Sequence, residues 1–238
     1  MRTLGLIGGT TWHSTVEYYR DINEQVAKRL GGLSSARMWL HSVNFEELQP
    51  PTDDAGWRRV ASYCSDVAKR LEVAGADCIV ICANTPHRIA EDVQGAVRIP
   101  LLHIAEATAD AVAERGVKQV ALLGTRPTME HPFFAARLAK RGISTLVPDE
   151  ADRGYMHASI LGELGRGVFT PETRARYTAI VEGLVARGAQ GAILGCTEIP
   201  LLLRDVRLPV PAFDTMALHV RAAVEFALTP GEATAPSH

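Results

Sequence analysis

The chain has 238 residues, of which 47% are hydrophobic, and its formal net charge is -2 at pH 7. This length and hydrophobic content suffice for one large domain or two small lobes, each with its own core. Because Lys and Arg are spread along the chain without forming a basic stripe, nucleic acid is not expected as a partner. The sequence has no apolar run of transmembrane length and no signal-peptide pattern, which predicts a cytoplasmic protein without a membrane partner.

The N-terminal part alternates predicted strands with predicted helices. Residues 3–9 (TLGLIGG) form an apolar run that ends in two glycines, and residues 38–43 form a second run. Ser14 and Glu17 have the spacing of a capping box, which predicts that the first helix begins there. The apolar faces predicted for the two helices consist of Tyr19, Ile22, Val26 and Leu30 in the first, and of Trp57, Ala61, Cys64, Ala68 and Leu71 in the second.

The next predicted strand ends at Ala83, a short helix begins at about His87, and residues 99–104 form the fourth strand. Within that fourth strand His103 is expected to be a satisfied core histidine, just as Cys64 is expected to be a core thiol. The spacing of the four cysteines indicates neither a disulfide framework nor a metal site. No metal is therefore predicted.

Three pairs of segments repeat in the same order along the chain. Residues 74–85 (AGADCIVICANT) match residues 187–198 (RGAQGAILGCTE), with Ala83 in register with Cys196. The other pairs are residues 4–9 with 120–125, and residues 99–105 with 208–214. Because three ordered matches are hard to obtain by chance, the chain is predicted to consist of two similar halves.

The predicted fold class is α/β, with eight strands divided equally between two lobes related by a pseudo-twofold axis. Each lobe is predicted to be a four-stranded, mainly parallel sheet flanked by helices, with the site in the cleft between the lobes. The first lobe is assigned residues 1–104 plus 214–228, and the second lobe residues 105–213. Residues 229–238 are expected to be a disordered tail, since they carry Pro, Gly and Ser with little to bury.

The sharpest candidate for chemistry is Cys196, which follows Gly195 at a predicted strand end and precedes a predicted helix start. Partial positive charge at such a position favours a thiolate. Asn84, Thr85 and His87 cluster at the matching strand end of the first half. Asn84 and Thr85 are expected to bind a substrate carboxylate or to cap a helix, and His87 either begins a helix or acts as an acid or base.

The glycine turn after the first strand is a second candidate site. Gly9, Thr10 and Thr11 lack the spacing of a dinucleotide fingerprint and the lysine of a P-loop, so no phosphate cofactor is expected. They either hold a substrate carboxylate with N–H and hydroxyl groups or form a tight turn with capping hydroxyls. Thr125 occupies the equivalent place in the second half.

Four motifs in this order resemble the aspartate/glutamate racemase family, and more narrowly its broad-specificity amino-acid racemase branch. They are LIGGTTWHST at residues 6–15, ICANTPH at 81–87, ALLGTRPTM at 121–129 and LGCTEIPLLL at 194–203. The resemblance covers roughly residues 2–228. It implies a cytoplasmic, homodimeric isomerase that needs no cofactor and acts at the Cα of an amino acid.

The resemblance also implies roles for residues. One acid/base stands on each side of the substrate Cα; both are usually cysteines, and in a branch close to this chain the first is a threonine. Cys196 matches the second cysteine, whereas Ala83 stands where the first acid/base is expected, which leaves Thr85 or His87 to serve that face. The substrate-binding set implied here consists of Gly9, Thr10, Thr11, Asn84, Thr85, Thr125, Thr197, Glu198 and Arg166.

Three functions stay open from the sequence. The first is a racemase or epimerase for aspartate, glutamate or a broader set of amino acids. The second is a decarboxylase or lyase in which Cys196 alone protonates an enediolate. The third is an inactive protein that binds a carboxylate, because a methyl group at Ala83 can neither give nor take a proton.

Overall fold

The computed structural model describes residues 1–10, 12–49, 51 and 53–230. Their contacts divide the chain into two compact units, each built around one sheet. The first unit contains Met1–Cys82, Ile89–Leu102 and the segment from Val220 onward, and the second contains Ala83–Arg88 and His103–His219. The segment that follows the third strand thus belongs with the second unit.

The first unit contains a parallel sheet with the strand order β2-β1-β3-β4. Its strands are β1 (Leu4–Gly8), β2 (Met38–Ser42), β3 (Cys78–Ile81) and β4 (Leu101–Leu102). Its helices are α1 (Trp12–Leu30), the 3-10 helix Phe45–Leu48, α2 (Asp54–Val73) and α3 (Ala90–Ala96). β1 and β3 are buried along their whole length, as expected for central parallel strands.

The second unit repeats this arrangement with the strand order β6-β5-β7-β8, again all parallel. Its strands are β5 (Gln119–Gly124), β6 (Ser144–Leu146), β7 (Gly191–Gly195) and β8 (Ala212–Asp214). The helices α4 to α9 are Ile104–Glu114, Arg126–Glu130, Pro132–Ala139, Glu150–Gly162, Pro171–Ala186 and Ile199–Leu202, and the 3-10 helix is Leu164–Arg166. A further 3-10 helix, Thr85–Ile89, begins in this unit, and α10 (Thr215–Leu228) begins here and ends in the first.

The predicted fold class is confirmed: there are two four-stranded parallel sheets, flanked by helices, with equivalent strand orders. The predicted apolar face of α2 is confirmed as well, since all five of its residues are buried. Burial raises the pKa of the Cys64 thiol to about 11. The predicted lobe boundaries stay a prediction, and residues 231–238 of the predicted tail lie outside the described residues.

The predicted start of α1 is wrong, and its predicted apolar face is confirmed only at Ile22 and Val26. The helix already begins at Trp12, and the Ser14 hydroxyl, inside it, donates to the Cys82 carbonyl at 3.0 Å instead of capping the helix. The buried face consists of Ser14, Thr15, Tyr18, Ile22 and Val26. Tyr19 and Leu30, which were expected in the core, are more than half exposed.

The predicted fourth strand is also too long. β4 has two residues, and His103 begins α4 as its N-cap, with its Nδ1 accepting from the Ala105 N–H at 3.1 Å. Its Nε2 is buried without a hydrogen-bond partner among the described residues, so His103 is a buried but incompletely satisfied histidine.

No helix in the described part of the chain has both the length and the apolar character needed to cross a bilayer.

Candidate active site

The segment Ala83–Arg88 is held in place through His87. The His87 ring is buried, and its Nδ1–H donates to the carbonyl of Ala83 at 2.8 Å. Its Nε2 accepts from the N–H of Ile104, the first residue of α4, at 3.2 Å. Because one ring nitrogen donates and the other accepts, these bonds fix the neutral tautomer. His87 therefore joins the backbone at Ala83 to the start of α4.

Two further imidazoles surround this ring. The ring centroid of His103 lies 4.6 Å from that of His87, and the centroid of His219 lies 5.4 Å from it. Burial, followed by the effects of His87, Arg137 and His219, lowers the pKa of His103 far below its usual range. His103 is therefore neutral at pH 7 and packs against the His87 ring without adding charge.

Asn84 links the segment to the end of β7. Its Nδ2 donates to the Thr215 hydroxyl at 3.0 Å, and that hydroxyl donates to the carbonyl of Leu194 at 3.0 Å. The Asn84 side chain is buried, and its Oδ1 has no hydrogen-bond partner among the described residues. A buried acceptor without a partner costs free energy, so Asn84 Oδ1 is suited to accept from a donor on a ligand.

The hydroxyls of three threonines form a short hydrogen-bonded series. Thr85 Oγ1 lies 3.0 Å from Thr125 Oγ1, which lies 3.2 Å from Thr128 Oγ1. Thr85 and Thr125 are half-buried, whereas Thr128 is buried. The two predicted threonines are thus brought together, and each hydroxyl can pass a hydrogen bond to the next.

Glycine permits close packing at the end of β7. A Cβ atom on Gly195 would lie only 2.5 Å from the Leu123 carbonyl oxygen, and one on Gly124 would lie 2.9 Å from the Gly195 carbonyl oxygen. Cys196 therefore follows a position where only glycine fits between β5 and β7.

Cys196 is paired with a carboxylate. Its Sγ donates to Glu198 Oε2 at 2.8 Å, and the Thr197 hydroxyl donates to the same oxygen at 2.8 Å. Cys196 and Thr197 are half-buried and Glu198 is buried. Glu198, predicted to bind substrate, is positioned here to exchange a proton with the thiol.

The thiolate expected at Cys196 is not what this environment favours. Burial and, next, the Glu198 carboxylate raise the pKa of the Cys196 thiol well above its ordinary value. The helix that follows, α9, has only four residues, so little helix dipole opposes these effects. At neutral pH, Cys196 is therefore a protonated thiol that donates to a carboxylate.

The turn after β1 is only partly available to an anion. Gly9 has φ of +90°, and its N–H already donates to the Thr15 hydroxyl at 2.7 Å. A Cβ on Gly9 would collide with the backbone of Val43, so glycine is required there. The buried Thr10 Oγ1 has no hydrogen-bond partner within the described ranges, and Thr11 lies outside them.

Comparisons with known proteins show the family to which this chain belongs. The Asp/Glu/hydantoin racemase family model matches residues 7–223. The chain belongs to this racemase family. It is an isomerase, as predicted.

Individual members of the family extend the likeness over nearly the whole chain. A crystal structure from Yersinia pestis, provisionally assigned as an Asp/Glu racemase, is 44% identical with a TM-score of 0.90, covering 96% of this chain and 100% of that one. An aspartate racemase homologue from Pyrococcus horikoshii is 33% identical with a TM-score of 0.83, covering 95% and 99%. The broad specificity amino-acid racemase RacX of Bacillus subtilis is 26% identical over 159 residues, covering 67% of this chain and 68% of RacX.

Two further observations on this racemase-family chain concern Arg166 and metal binding. Arg166, the predicted second-lobe cation, is exposed at the end of the 3-10 helix Leu164–Arg166. Within the described ranges, no group of three or more His, Cys, Asp or Glu side chains is arranged to hold a metal ion.

Sequence reasoning missed Thr215, which joins Asn84 to β7, and Thr128, which ends the hydroxyl chain. Thr215 directly follows the strand end of β8, and this was the available signal.

Proposed function

We propose that this chain is an amino-acid racemase or epimerase that moves a proton at the substrate Cα with its own side chains and without a cofactor. The observation that carries the proposal is the 2.8 Å hydrogen bond from Cys196 Sγ to Glu198 Oε2, in a chain of the racemase family. A thiol next to a carboxylate can both deliver and remove a proton.

Cys196 serves one face of the Cα in either direction. As an acid, the neutral thiol gives its proton to the carbanion. As a base, it first passes its proton to the Glu198 carboxylate, and the resulting thiolate removes the proton from the Cα. Because the thiol pKa is raised, thiolate is present only when Glu198 takes the proton or when the pH is high.

The opposite face needs a second protic group, and Ala83 offers only a methyl. His87 is the weaker candidate for this role, since it is buried with both ring nitrogens in hydrogen bonds. Thr85 is the stronger one, because its hydroxyl is half-buried and continues into Thr125 and Thr128, which can stabilise charge on its oxygen. We assign the second acid/base role to Thr85.

Substrate binding is proposed for Asn84 and Thr197. Asn84 Oδ1, which has no hydrogen-bond partner among the described residues, accepts from the substrate ammonium group, and the Thr197 hydroxyl, which donates to Glu198 without substrate, binds the substrate carboxylate. The exposed Arg166 is not needed for either group. A site that fixes only the groups common to all amino acids predicts broad specificity, which covers aspartate and glutamate without requiring them.

A one-sided reaction is the second candidate, and Ala83 is the observation that favours it. A decarboxylase or lyase that forms an enediolate needs one proton, which Cys196 supplies, and no acid/base at Ala83. In this reading Thr85 only binds substrate.

Incubation with single enantiomers of amino acids in D₂O tests the proposal. We expect the opposite enantiomer to accumulate on a chiral column with deuterium at its Cα, detected by mass spectrometry. Release of CO₂ from a malonate without Cα exchange of any amino acid would instead favour the one-sided reaction. Absence of both reactions would leave a carboxylate-binding protein.

We also propose a cytoplasmic location and a homodimer.

A further inference from the structure

Thr215, the first residue of α10, is completely buried and takes part in two hydrogen bonds. Its hydroxyl donates to the carbonyl of Leu194 at 3.0 Å and accepts from Asn84 Nδ2 at 3.0 Å. Leu194 lies two residues before Cys196, and Asn84 directly follows Ala83. This one hydroxyl therefore joins the segment after β3 to the strand that leads to the Cys196 thiol.

The position of Thr215 is fixed by the surrounding backbone. The carboxylate of Asp214, one residue earlier, accepts from the N–H groups of Met216 and Ala217 at 2.9 and 3.1 Å, which holds the first turn of α10. Leu194 and Asp214 are also the last partners in the register of β7 and β8. Because the strand and the helix hold Thr215 from both sides, its hydroxyl has a defined position.

The two hydrogen bonds give the Asn84 amide a direction. The Thr215 hydroxyl has one proton to donate, and the Leu194 carbonyl takes it. The hydroxyl oxygen can then only accept from Asn84, so the amide presents its NH₂ group to Thr215. Turned end for end, the amide would place its oxygen against an oxygen whose proton is already used. Thr215 therefore determines which end of the Asn84 amide carries the carbonyl oxygen.

That carbonyl oxygen is the unpartnered atom of Asn84. The residue is 6% exposed, and its Oδ1 has no hydrogen-bond partner among the described residues. An amide oxygen can accept a hydrogen bond but cannot donate one. It therefore favours a ligand with an N–H donor over a ligand that has a carbonyl oxygen at the same position. This difference separates an amino acid from its 2-oxo acid.

We propose that Thr215 is a positioning residue, which holds the Asn84 amide so that Oδ1 receives the ligand, and that the site thereby selects an ammonium group over a carbonyl group at the ligand Cα. The inference rests on the proposed function for the assignment of Asn84 to substrate binding. Thr215 contacts no substrate and acts only through Asn84.

The Thr215 link can be tested separately from the other link that holds this segment. His87 accepts from the N–H of Ile104 at the start of α4, just as Asn84 donates to Thr215 at the start of α10. The His87 bond ends on a backbone N–H, which a change of the Ile104 side chain does not remove. The Asn84 bond ends on a hydroxyl, so Thr215→Val removes it at nearly constant side-chain volume.

Three variants separate positioning from stability. Thr215→Val removes the hydroxyl, Thr215→Ser keeps it, and Thr108→Val is the matched control. Thr108 is also completely buried, and its hydroxyl donates to the carbonyl of Ile104 at 2.8 Å within α4. Both valine variants therefore lose a buried hydrogen bond and should lower the midpoint of urea denaturation, but only Thr215→Val releases the Asn84 amide.

Isothermal titration calorimetry measures the selection directly. The probes are glutamate, aspartate and alanine, each compared with the 2-oxo acid of the same carbon skeleton. We expect the wild-type chain to bind the amino acid at least about 10-fold more tightly than the oxo acid, since only the amino acid satisfies Oδ1. In Thr215→Val the amide can turn, so this ratio should fall by about 10-fold. Thr215→Ser and Thr108→Val should keep the wild-type ratio.

A second measurement needs no ligand. The side-chain amide protons of Asn84 can be assigned in a nitrogen–proton NMR spectrum, because their signals disappear in Asn84→Asp. In the wild-type chain they should exchange slowly with water, since Thr215 accepts one of them. Exchange should be at least about 10-fold faster in Thr215→Val and unchanged in Thr215→Ser and Thr108→Val.

Two results for Thr215→Val would each overturn the proposal: an unchanged preference for amino acids, or unchanged exchange of the Asn84 amide protons. A wild-type chain that binds the 2-oxo acids as tightly as the amino acids, or that binds none of the amino acids, would overturn it as well. A chain that prefers amino acids through Thr215 but forms no opposite enantiomer in D₂O would overturn the proposed reaction and leave this inference in place.

Discussion

The segments that follow β3 and β7 are copies in the sequence but differ in chemistry. After β7, the Cys196 thiol donates a hydrogen bond to the Glu198 carboxylate, so the thiol proton has an acceptor beside it. After β3, Ala83 takes the place of the thiol, and His87 uses both ring nitrogens to hold the backbone. One copy thus pairs a thiol with a carboxylate, whereas the other has no thiol and uses its imidazole to hold the backbone.

Family membership therefore does not by itself establish that both proton-transfer groups are present. The family and the fold follow from the whole chain, whereas the second proton-transfer group depends on one position. Substitutions at the two segments therefore test whether the difference between them determines activity.

The largest loss is expected from Cys196→Ala. Removing the thiol takes away the acid/base of one face, and turnover should fall by about 10⁴-fold, at the upper end of the range for a general acid or base. Cys196→Ser keeps the size of the side chain and should be nearly as inactive, because its hydroxyl is a much weaker acid. Chiral chromatography measures the rate, and a Cys196→Ala protein with wild-type activity would place the chemistry elsewhere.

A gain is expected from Ala83→Cys. If the site is a racemase site that lacks only its first thiol, racemisation should rise by about 10²-fold or more. Ala83→Val, which adds volume without a proton, is the matched control and should not activate the protein. A folded Ala83→Cys protein that keeps a reactive Cys196 and exchanges no amino acid in D₂O would sink the racemase assignment.

The next effect in size is that of Thr85→Val. If the Thr85 hydroxyl serves the second face, racemisation should fall by about 10²-fold, as for a lost general acid or base. Thr125→Val leaves Thr85 in place and should have the smaller effect, since it shortens the hydroxyl chain by one link. A Thr85→Val protein that racemises normally would exclude this role for Thr85.

The fold could be predicted largely from local patterns, and the errors of that prediction have physical causes. Buried apolar runs and three repeated segments were enough to predict eight strands in two sheets. The capping box at Ser14 failed because a tertiary partner, the Cys82 carbonyl, takes the hydroxyl. β4 is short because His103 already caps α4.

The candidate site was only partly predictable, because its partners are far apart in the sequence. Strand ends mark Cys196 and Asn84, but the hydrogen bond from Asn84 to Thr215 spans 131 positions and leaves no local pattern. The role of Glu198 was missed for another reason. From the sequence alone, a carboxylate two residues after a thiol can contact either a ligand or the thiol. The structure shows that the Glu198 carboxylate points to the thiol.

Glu198→Gln should reduce racemisation by about 10-fold, because the thiol loses the acceptor for its proton. The same change removes a negative charge, so the pKa of Cys196 should fall towards its ordinary value. The pH at which iodoacetamide alkylates Cys196 should therefore move down, as measured by mass spectrometry of the labelled peptide.

The other cysteines serve as internal controls for that labelling. Cys64, Cys78 and Cys82 are buried, and burial raises the pKa of each thiol, to about 11 for Cys64 and about 12 for Cys78. Half-buried Cys196 should react first in both proteins. Faster labelling of Cys64 or Cys78 in the wild-type protein would contradict the placement of the site.

The smallest effect on chemistry is expected at His87, where the effect on stability should dominate. His87→Leu leaves the Ala83 carbonyl and the Ile104 N–H without their partner, which costs about 1–3 kcal/mol for each buried group. The midpoint of urea denaturation should therefore fall clearly.

In the fraction of His87→Leu that stays folded, kcat should change only several-fold. The dependence of kcat on pH should keep its shape, because a neutral imidazole with both ring nitrogens in hydrogen bonds transfers no proton. His87→Gln can restore one of the two bonds and should recover part of the stability. If His87→Leu instead removes one limb of the pH profile while the protein remains folded, His87 rather than Thr85 is the acid or base of the Ala83 face.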